Sequence, residues 1–215
     1  GYIQHDPVVS ARVICMANAA ASQRGGDGCI NNVFAATSMI GMARVRELAL
    51  MSALNRFVKA INVESDHSFW EHSVIVGVCS EELANTCDLK VSSAEALIAG
   101  LLHDVGQLWL MRFQRQQSGA AWMAALQNNI DIERAECHRF GVGHPLIGAW
   151  LAESWQLPMS IINAIRGHHA PEGEVPDRLA AVVHIAEVLS NGLDLTRREE
   201  NRVTYISEAA CTCLG

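Results

Sequence analysis

The chain has 215 residues, half of them apolar, and carries 16 lysines and arginines against 23 aspartates and glutamates, a formal net charge of −7. This length is enough for one substantial hydrophobic core, and the high apolar content argues against intrinsic disorder. The acidic balance, with no basic run longer than Arg197-Arg198, disfavours binding to a nucleic-acid backbone. We therefore expect a globular protein without a nucleic-acid partner.

The sequence shows neither a membrane span nor a secretory signal. The longest stretch without a charged residue, 28–43, is shorter than the roughly 20 residues of a span and is interrupted by polar side chains. The opening GYIQHDP has no basic start and no apolar run. The seven cysteines are odd in number and lack C-x-x-C spacing, which favours reduced, mostly buried thiols. We therefore expect a cytoplasmic protein with no membrane partner.

Three helices are predicted in the N-terminal part of the chain, because apolar residues recur there at spacings of three and four. Pro7 begins the first helix, which ends at the glycine-rich stretch 25–28. The second and third helices, 32–40 and 43–61, flank a break at Gly41. Together they form a first lobe.

Helical spacing continues through the rest of the chain without any alternating pattern typical of a strand, so the predicted fold class is all-α. The next helix carries an inward stripe made of Phe69, His72, Val76, Cys79 and Leu83. Further helices are predicted over 93–111, 120–139, 145–155, 158–168 and 177–191, with an interruption at 116–119. The predicted organisation is an N-terminal lobe over 1–62, a helical core over 63–192, and a C-terminal tail over 193–215 for which no defined structure is predicted.

Candidate chemistry is concentrated in histidines and acids of the predicted core. These residues are His72, His103, Asp104, His144, His168, His169, His184 and Glu187. A lone histidine such as His72 is more often a hydrogen-bonded core residue than a ligand, and His144 alone, before Pro145, is more often a helix cap. Together they favour one shared site, because so many buried rings would otherwise each need a separate partner. His184 either orients Glu187 or faces solvent, and His5, His67 and His138 fall outside the pattern.

Asp104 lies on the apolar face of its predicted helix, since positions 97, 101, 104, 108 and 111 are three or four residues apart. A carboxylate buried there needs a metal ion, a protonated histidine or hydrogen-bond donors as its partner. His103 stands about 100° around the helix, near Gly100 and Gly106, whose missing side chains leave room for an ion or a small ligand. Several imidazoles and a carboxylate in a helical core are the ligands that Fe, Mn, Zn or Ni favour.

The segment LLHDVGQL at 101–108 resembles the signature of the HD superfamily of metal-dependent phosphohydrolases. Together with HDPVVSARVICMANAA, FWEHS, FGVGHPLIGAWLAESWQLP and IRGHHAPEG, it resembles the HDOD domain, an HD-related output domain, over about residues 3–190. The resemblance implies an all-α fold in which an N-terminal helical lobe packs on an HD-type helical core. Because the family usually begins one helix earlier, we expect a further helix upstream.

The resemblance also implies a function in bacterial signal transduction, as an output or interaction module such as that of a response regulator. Its partner would be a signalling protein or an upstream regulatory domain. The related HD-GYP proteins are cyclic-di-GMP phosphodiesterases with a two-metal centre. Carried over residue by residue, their ligand pattern falls on His72, His103, Asp104, His144, His168, His169 and Glu187, which implies one or two divalent transition-metal ions.

The alternative function implied by the resemblance is a metal-dependent phosphohydrolase that acts on a nucleotide or cyclic dinucleotide, with Asp104 and His103 as catalytic residues. The sequence departs from that pattern in three places. Glu187 stands where aspartate is usual, Gln107 replaces a lysine, and APEGEVP follows His169 where a GYP segment is expected. The lost lysine removes a cation that would stabilise charge on a transferring phosphoryl group. We therefore expect a metal-binding module without catalysis.

Overall fold

The structure, a computed structural model, describes residues 7–23, 29–61, 67–86, 90–171, 177–193, 195 and 206–214. Within these ranges the chain forms eleven α-helices and no strand, which confirms the predicted all-α fold. The helices are α1 (Pro7–Gln23), α2 (Val33–Ile61), α3 (His67–Thr86), α4 (Ser93–Leu102), α5 (Val105–Phe113), α6 (Arg115–Asn128), α7 (Ile132–Phe140), α8 (His144–Ser154), α9 (Met159–Gly167), α10 (Arg178–Gly192) and α11 (Glu208–Leu214). No helix in the described ranges has the length and apolarity needed to cross a bilayer.

The chain divides into two compact units, Gly1–Asn62 and Val63–Gly215. In the first unit α1 packs against α2, and the buried contact is formed by Val13, Ala17, Ala36 and Val45. Gly41 has φ 82° and ψ 155° inside α2, a conformation that glycine adopts without the penalty of a side chain. The predicted break at Gly41 is therefore confirmed, as a kink within α2.

The single helix predicted over 93–111 is wrong, because the chain leaves helical geometry at Asp104, with φ −97° and ψ 10°, between α4 and α5. The first segment, α4, begins after Ser92, whose hydroxyl accepts a hydrogen bond from the backbone N–H of Glu95 at 3.4 Å. The second segment, α5, begins directly after Asp104. His103 and Asp104, which lie at this break, are both buried.

Glycines allow helices of the second unit to approach closely on both sides of this break. A Cβ atom on Gly100 would lie 2.8 Å from Cα of Gly77, where α4 packs on α3. A Cβ atom on Gly106 would lie 2.0 Å from the carbonyl oxygen of His144, where α5 packs on α8. The prediction that Gly100 and Gly106 leave room for an ion or a small ligand is therefore wrong, because helix backbone fills that space.

The predicted interruption at 116–119 and the single helix over 120–139 are also wrong. Helix α6 runs through Gly119, at a position where an added side chain would meet no neighbour. A helix interior tolerates glycine at a cost of about 1 kcal/mol. Asn129, with φ 51°, ends α6 in the left-handed conformation, and α7 follows. Asparagine takes this position less often than glycine, so the sequence signal for the turn is weak.

The remaining core helices match their predictions to within a residue or two, since α8, α9 and α10 correspond to 145–155, 158–168 and 177–191. Helix α11 lies in the C-terminal stretch, 193–215, for which the sequence yields no structural prediction. The six cysteines in the described ranges are free, and four of them are exposed on outward faces. The expectation of mostly buried thiols is therefore wrong, and Cys87 lies outside the described residues.

Candidate metal centre

Asp104 lies at the centre of a buried ring of four histidines, and its side chain is 2 % exposed. Its Oδ2 atom lies 3.4 Å from Nε2 of His103 and 4.0 Å from Nε2 of His72. Its Oδ1 atom lies 3.3 Å from Nε2 of His144 and 3.8 Å from Nε2 of His168. The four rings come from α3, the α4–α5 break, α8 and the end of α9, so helix packing brings together residues that are distant in sequence.

Three of these rings are held through Nδ1, on the side away from Asp104. His103 and His168 each donate a hydrogen bond of 2.7 Å to the carbonyl oxygen three residues earlier. His144 donates a hydrogen bond of 2.7 Å to Oε2 of Glu136. When such a ring is neutral, its single proton is on Nδ1 and the lone pair of Nε2 faces the carboxylate. This orientation is the one that outer partners impose on metal-ligating histidines.

The Nε2 atoms of His103 and His168 make no hydrogen bond of acceptable geometry within the described residues, and solvent does not reach them. A buried polar atom without a hydrogen bond costs free energy, so native structures satisfy nearly all of them. Coordination to a divalent ion would satisfy each of these nitrogen atoms. Imidazole nitrogens and a carboxylate are donors that suit Fe, Mn, Zn and Ni, so the residues present fit the predicted metal.

The electrostatics of the centre favour an ionised carboxylate. Burial alone would raise the pKa of Asp104, but His103 and His144 hold it well below its usual range. Burial lowers the pKa of His144, yet the carboxylates of Glu136 and Asp104 outweigh this and raise it to about 10. Burial and the charge of His169 hold the pKa of His168 well below its ordinary value. Binding of a cation would therefore displace a proton from His144.

Six of the seven candidate ligands form two groups, and within each group the ligand atoms lie within 4.8 Å of one another. One group consists of His72, His103 and Asp104, and the other of His144, His168 and His169. Asp104 directs one carboxylate oxygen toward each group. Asp104 therefore lies close to the histidines of both groups.

His169 and Glu187 connect the buried centre to the surface. Nε2 of His169 lies 3.0 Å from Nε2 of His144, and its Nδ1 lies 4.0 Å from Oε2 of Glu187. The side chains of His169 and Glu187 are 23 % and 14 % exposed, whereas the other five candidate ligands are buried. The structure thus brings all seven predicted residues into one connected cluster with its solvent-facing side at His169 and Glu187.

Glu136, on α7, is the supporting residue that the sequence analysis missed. Its side chain is buried, and Oε2 accepts hydrogen bonds of 2.7 Å from both the backbone N–H and the Nδ1–H of His144. A tight turn through Gly141, with φ 75°, brings the start of α8 back to α7. The sequence offers one indication of this role, since Glu136 precedes the glycine-rich turn 141–143 that leads to His144. Its neighbours are polar, however, and this pattern is typical of a solvent-exposed helix face.

Two further residues of the sequence analysis support the cluster. Gln107 is buried and donates a hydrogen bond of 3.1 Å from Nε2 to Oδ1 of Asp104. His184 is also buried, so of its two predicted alternatives, orienting Glu187 or facing solvent, the second is wrong. Its Nδ1 donates a hydrogen bond of 2.8 Å to the carbonyl oxygen of His168. Both residues therefore contact groups that belong to the cluster.

These features define an all-helical domain built around a buried histidine and carboxylate cluster. Residues 1–171 match the HDOD domain family. The chain belongs to the HDOD domain family, which confirms the resemblance noted from its motifs.

Two solved structures have the same fold. An HDOD domain protein of unknown function from Geobacter sulfurreducens is 24% identical, with a TM-score of 0.72 over 99% of this chain and 73% of that one. A protein from Shewanella amazonensis, described as a candidate phosphohydrolase, is 26% identical, with a TM-score of 0.71 over 98% of this chain and 74% of that one. An uncharacterised protein of Treponema pallidum is 27% identical over 163 residues, which are 74% of this chain and 31% of that protein. The chain thus spans about a third of the length of this relative.

Proposed function

We propose that the protein is a signal-transduction output module of the HDOD type that binds a divalent transition metal and acts through a signalling partner rather than by hydrolysis. The main support for a metal site is the arrangement of the His103, His144 and His168 rings. Each ring donates a hydrogen bond through Nδ1 on its outer side and directs Nε2 toward Asp104. This arrangement would be costly without a ligand for Nε2 of His103 and Nε2 of His168. Membership of the HDOD family supports the signalling role.

In this proposal the buried ligands are His72, His103, Asp104, His144 and His168, and His169 and Glu187 complete the set at the solvent-facing side. A bound divalent ion supplies positive charge at the point where the helices of the core meet. The chain's own residues hold the ligands in place: backbone carbonyl groups orient His103 and His168, and Glu136 orients His144.

The surroundings of Asp104 support a module without catalysis. Gln107 donates a neutral amide to the carboxylate, where the hydrolytic relatives are expected to present a lysine. An amide provides no full positive charge for a transferring phosphoryl group. Five of the seven candidate ligands are also buried, which leaves a substrate little direct access to them.

A metal-dependent phosphohydrolase acting on a nucleotide or cyclic dinucleotide is the second candidate. It is favoured by the position of Asp104, whose two oxygens face two separate groups of ligands. The description of the Shewanella amazonensis protein points in the same direction. In that function Asp104 would hold two cations and a neighbouring histidine would donate the proton to the leaving group.

We expect one or two equivalents of Fe, Mn, Zn or Ni per chain, measured by elemental analysis of protein purified without a chelator. His103→Ala should lose most of this metal, because it removes a buried donor. His138→Ala is the matched control and should retain it, because His138 is exposed on α7. Metal content near zero in the wild type, unchanged after reconstitution with Fe(II), Mn(II) or Zn(II), would contradict the proposal.

The metal-loaded protein is expected to hydrolyse cyclic-di-GMP slowly or not at all. A rate a thousandfold below the median enzymatic turnover of about 10 per second is still measurable in an overnight assay. Turnover at an ordinary rate that is abolished in Asp104→Asn would favour the phosphohydrolase instead.

Glu136→Gln is expected to weaken metal binding about 10–100-fold, the usual effect of removing an outer partner of a histidine ligand. The amide keeps the size of the side chain but loses the charge that accepts two hydrogen bonds from His144. The measurement is competition with a chromophoric chelator. Glu133→Gln is the control, since this half-buried acid lies on the same helix against Gly143. Equal affinities for both variants would contradict the role assigned to Glu136.

A further inference from the structure

His184 is a buried histidine outside the candidate ligand set, and both of its ring nitrogens contact backbone groups. It lies on α10, and Nδ1–H donates to the carbonyl oxygen of His168 at 2.8 Å. On the other side of the ring, Nε2 accepts a hydrogen bond of 3.1 Å from the backbone N–H of Ser207. A neutral imidazole has one donor and one acceptor, so these contacts fix a single tautomer of His184.

The first of these contacts supports the backbone of a candidate ligand. His168 follows the last residue of α9, where carbonyl groups have no partner within the helix. His184 satisfies that carbonyl, while the ring of His168 donates to the carbonyl of Ile165. The backbone and the ring of His168 are thus held by two separate hydrogen bonds.

The second contact leads to the C-terminal helix. Ser207 immediately precedes α11, and its hydroxyl accepts a hydrogen bond of 3.1 Å from the N–H of Ala210, in the manner of a helix cap. Helix α11 packs against α10, which carries His184. Ser207 is buried, so its N–H depends on protein partners. His184 therefore connects the start of α11 with the backbone of His168.

We propose that His184 is a positioning residue that couples the seating of α11 to metal binding at the centre. This rests on the proposed function, in which His168 is a ligand. A metal ion that fixes His168 also fixes the carbonyl to which His184 donates, and the ring then presents Nε2 to Ser207. Because coupling between two sites is reciprocal, a well-seated α11 strengthens metal binding and bound metal protects α11.

Two substitutions separate the two hydrogen bonds. In His184→Asn the amide nitrogen takes the place of Nδ1 and keeps the bond to His168, but the side chain no longer reaches Ser207. In His184→Gln the amide oxygen takes the place of Nε2 and keeps the bond to Ser207, but the donor to His168 is lost. His138→Gln, at an exposed histidine of α7, is the matched control.

The experiment measures amide hydrogen exchange in α11 with and without Zn(II), together with Zn(II) affinity by chelator competition. In the wild type and in His138→Gln, Zn(II) should slow exchange in α11 several-fold. Both His184 variants should lose this effect, and His184→Gln should bind Zn(II) about tenfold more weakly, the lower end of the usual outer-partner effect. Exchange in α11 that does not respond to Zn(II) in the wild type, or still responds in both variants, would overturn the proposal.

A measurement without metal separates this inference from the proposed function. Nitrogen-15 NMR of the metal-free protein should show His184 with its proton on Nδ1. In the metal-free His184→Asn variant, the amide hydrogens of α11 should exchange faster than in the wild type. If the wild type bound no metal but these two results held, the proposed function would fail while the positioning of His168 and α11 stood. If Zn(II) bound tightly and His184 carried its proton on Nε2, the positioning role would be wrong and the metal site would remain.

Discussion

Asp104→Ala is expected to lower the free energy of unfolding by about 3–5 kcal/mol, the scale for breaking a buried ion pair. The substitution leaves four inward-facing imidazoles without the carboxylate on which they converge. Because about 1 kcal/mol corresponds to roughly 2–4 °C for a chain of this size, the melting temperature should fall by roughly 6–20 °C. Thermal melts followed by circular dichroism measure this directly.

Asp131→Asn is the control for this substitution, because Asp131 is an exposed carboxylate whose side chain makes no capping hydrogen bond. It should change stability by no more than about 0.5 kcal/mol. Asp104→Asn keeps the shape of the side chain and weakens ligation. A chelator should therefore lower the melting temperature of the wild type toward that of this variant, and should scarcely change the melting temperature of the variant itself. If Asp104→Ala melted within a degree of the wild type with and without chelator, the buried cluster described above would be wrong.

Gly106→Ala is expected to be the other severe substitution. The new methyl group would lie 2.0 Å from the carbonyl oxygen of His144 and 2.8 Å from the backbone nitrogen of Gly148. Both atoms belong to the backbone of α8, which has no rotamer to change. Overpacking usually costs about 1–3 kcal/mol, and more where the backbone must move, so we expect a loss of about 3 kcal/mol. Since the displaced helix α8 begins at His144, metal content should fall together with stability.

Gly119→Ala provides the opposite case in the same unit. Its Cβ position has no neighbour within 4 Å, and it lies inside α6. Alanine is favoured over glycine in a helix interior by about 1 kcal/mol, so this variant should be slightly more stable than the wild type. Equal melting temperatures for the two alanine variants would show that α5 and α8 do not approach as described.

The burial of Asp104 could be predicted because the spacing of its apolar neighbours follows the helical repeat on both sides of the break. The break itself could not, since neither His103 nor Asp104 is a helix-breaking residue. It depends on tertiary partners, including the four rings that surround the carboxylate. Local periodicity therefore indicates which side chains face inward, but not how the backbone adjusts around them.

Glu136 and His184 show a second limit of sequence reasoning. The pattern around Glu136 is polar, so nothing local indicates burial, and its contact with His144 depends on the turn through Gly141. His184 stands on an apolar face, yet its partners are backbone groups near α9 and α11. Backbone partners leave no trace in side-chain identity, so such supports become visible only in the folded structure.

The spread of the ligands along the chain has a consequence for biosynthesis. His72 and Glu187 are about 115 residues apart, and ribosomes add roughly 5–20 residues per second. The last donor of the cluster is therefore translated roughly 6–23 s after the first. A nascent chain that has released only α3, α4 and α5 offers one of the two ligand groups. In the proposed function, metal loading of the complete centre therefore waits until translation has passed α10, as a late event in the maturation of the protein.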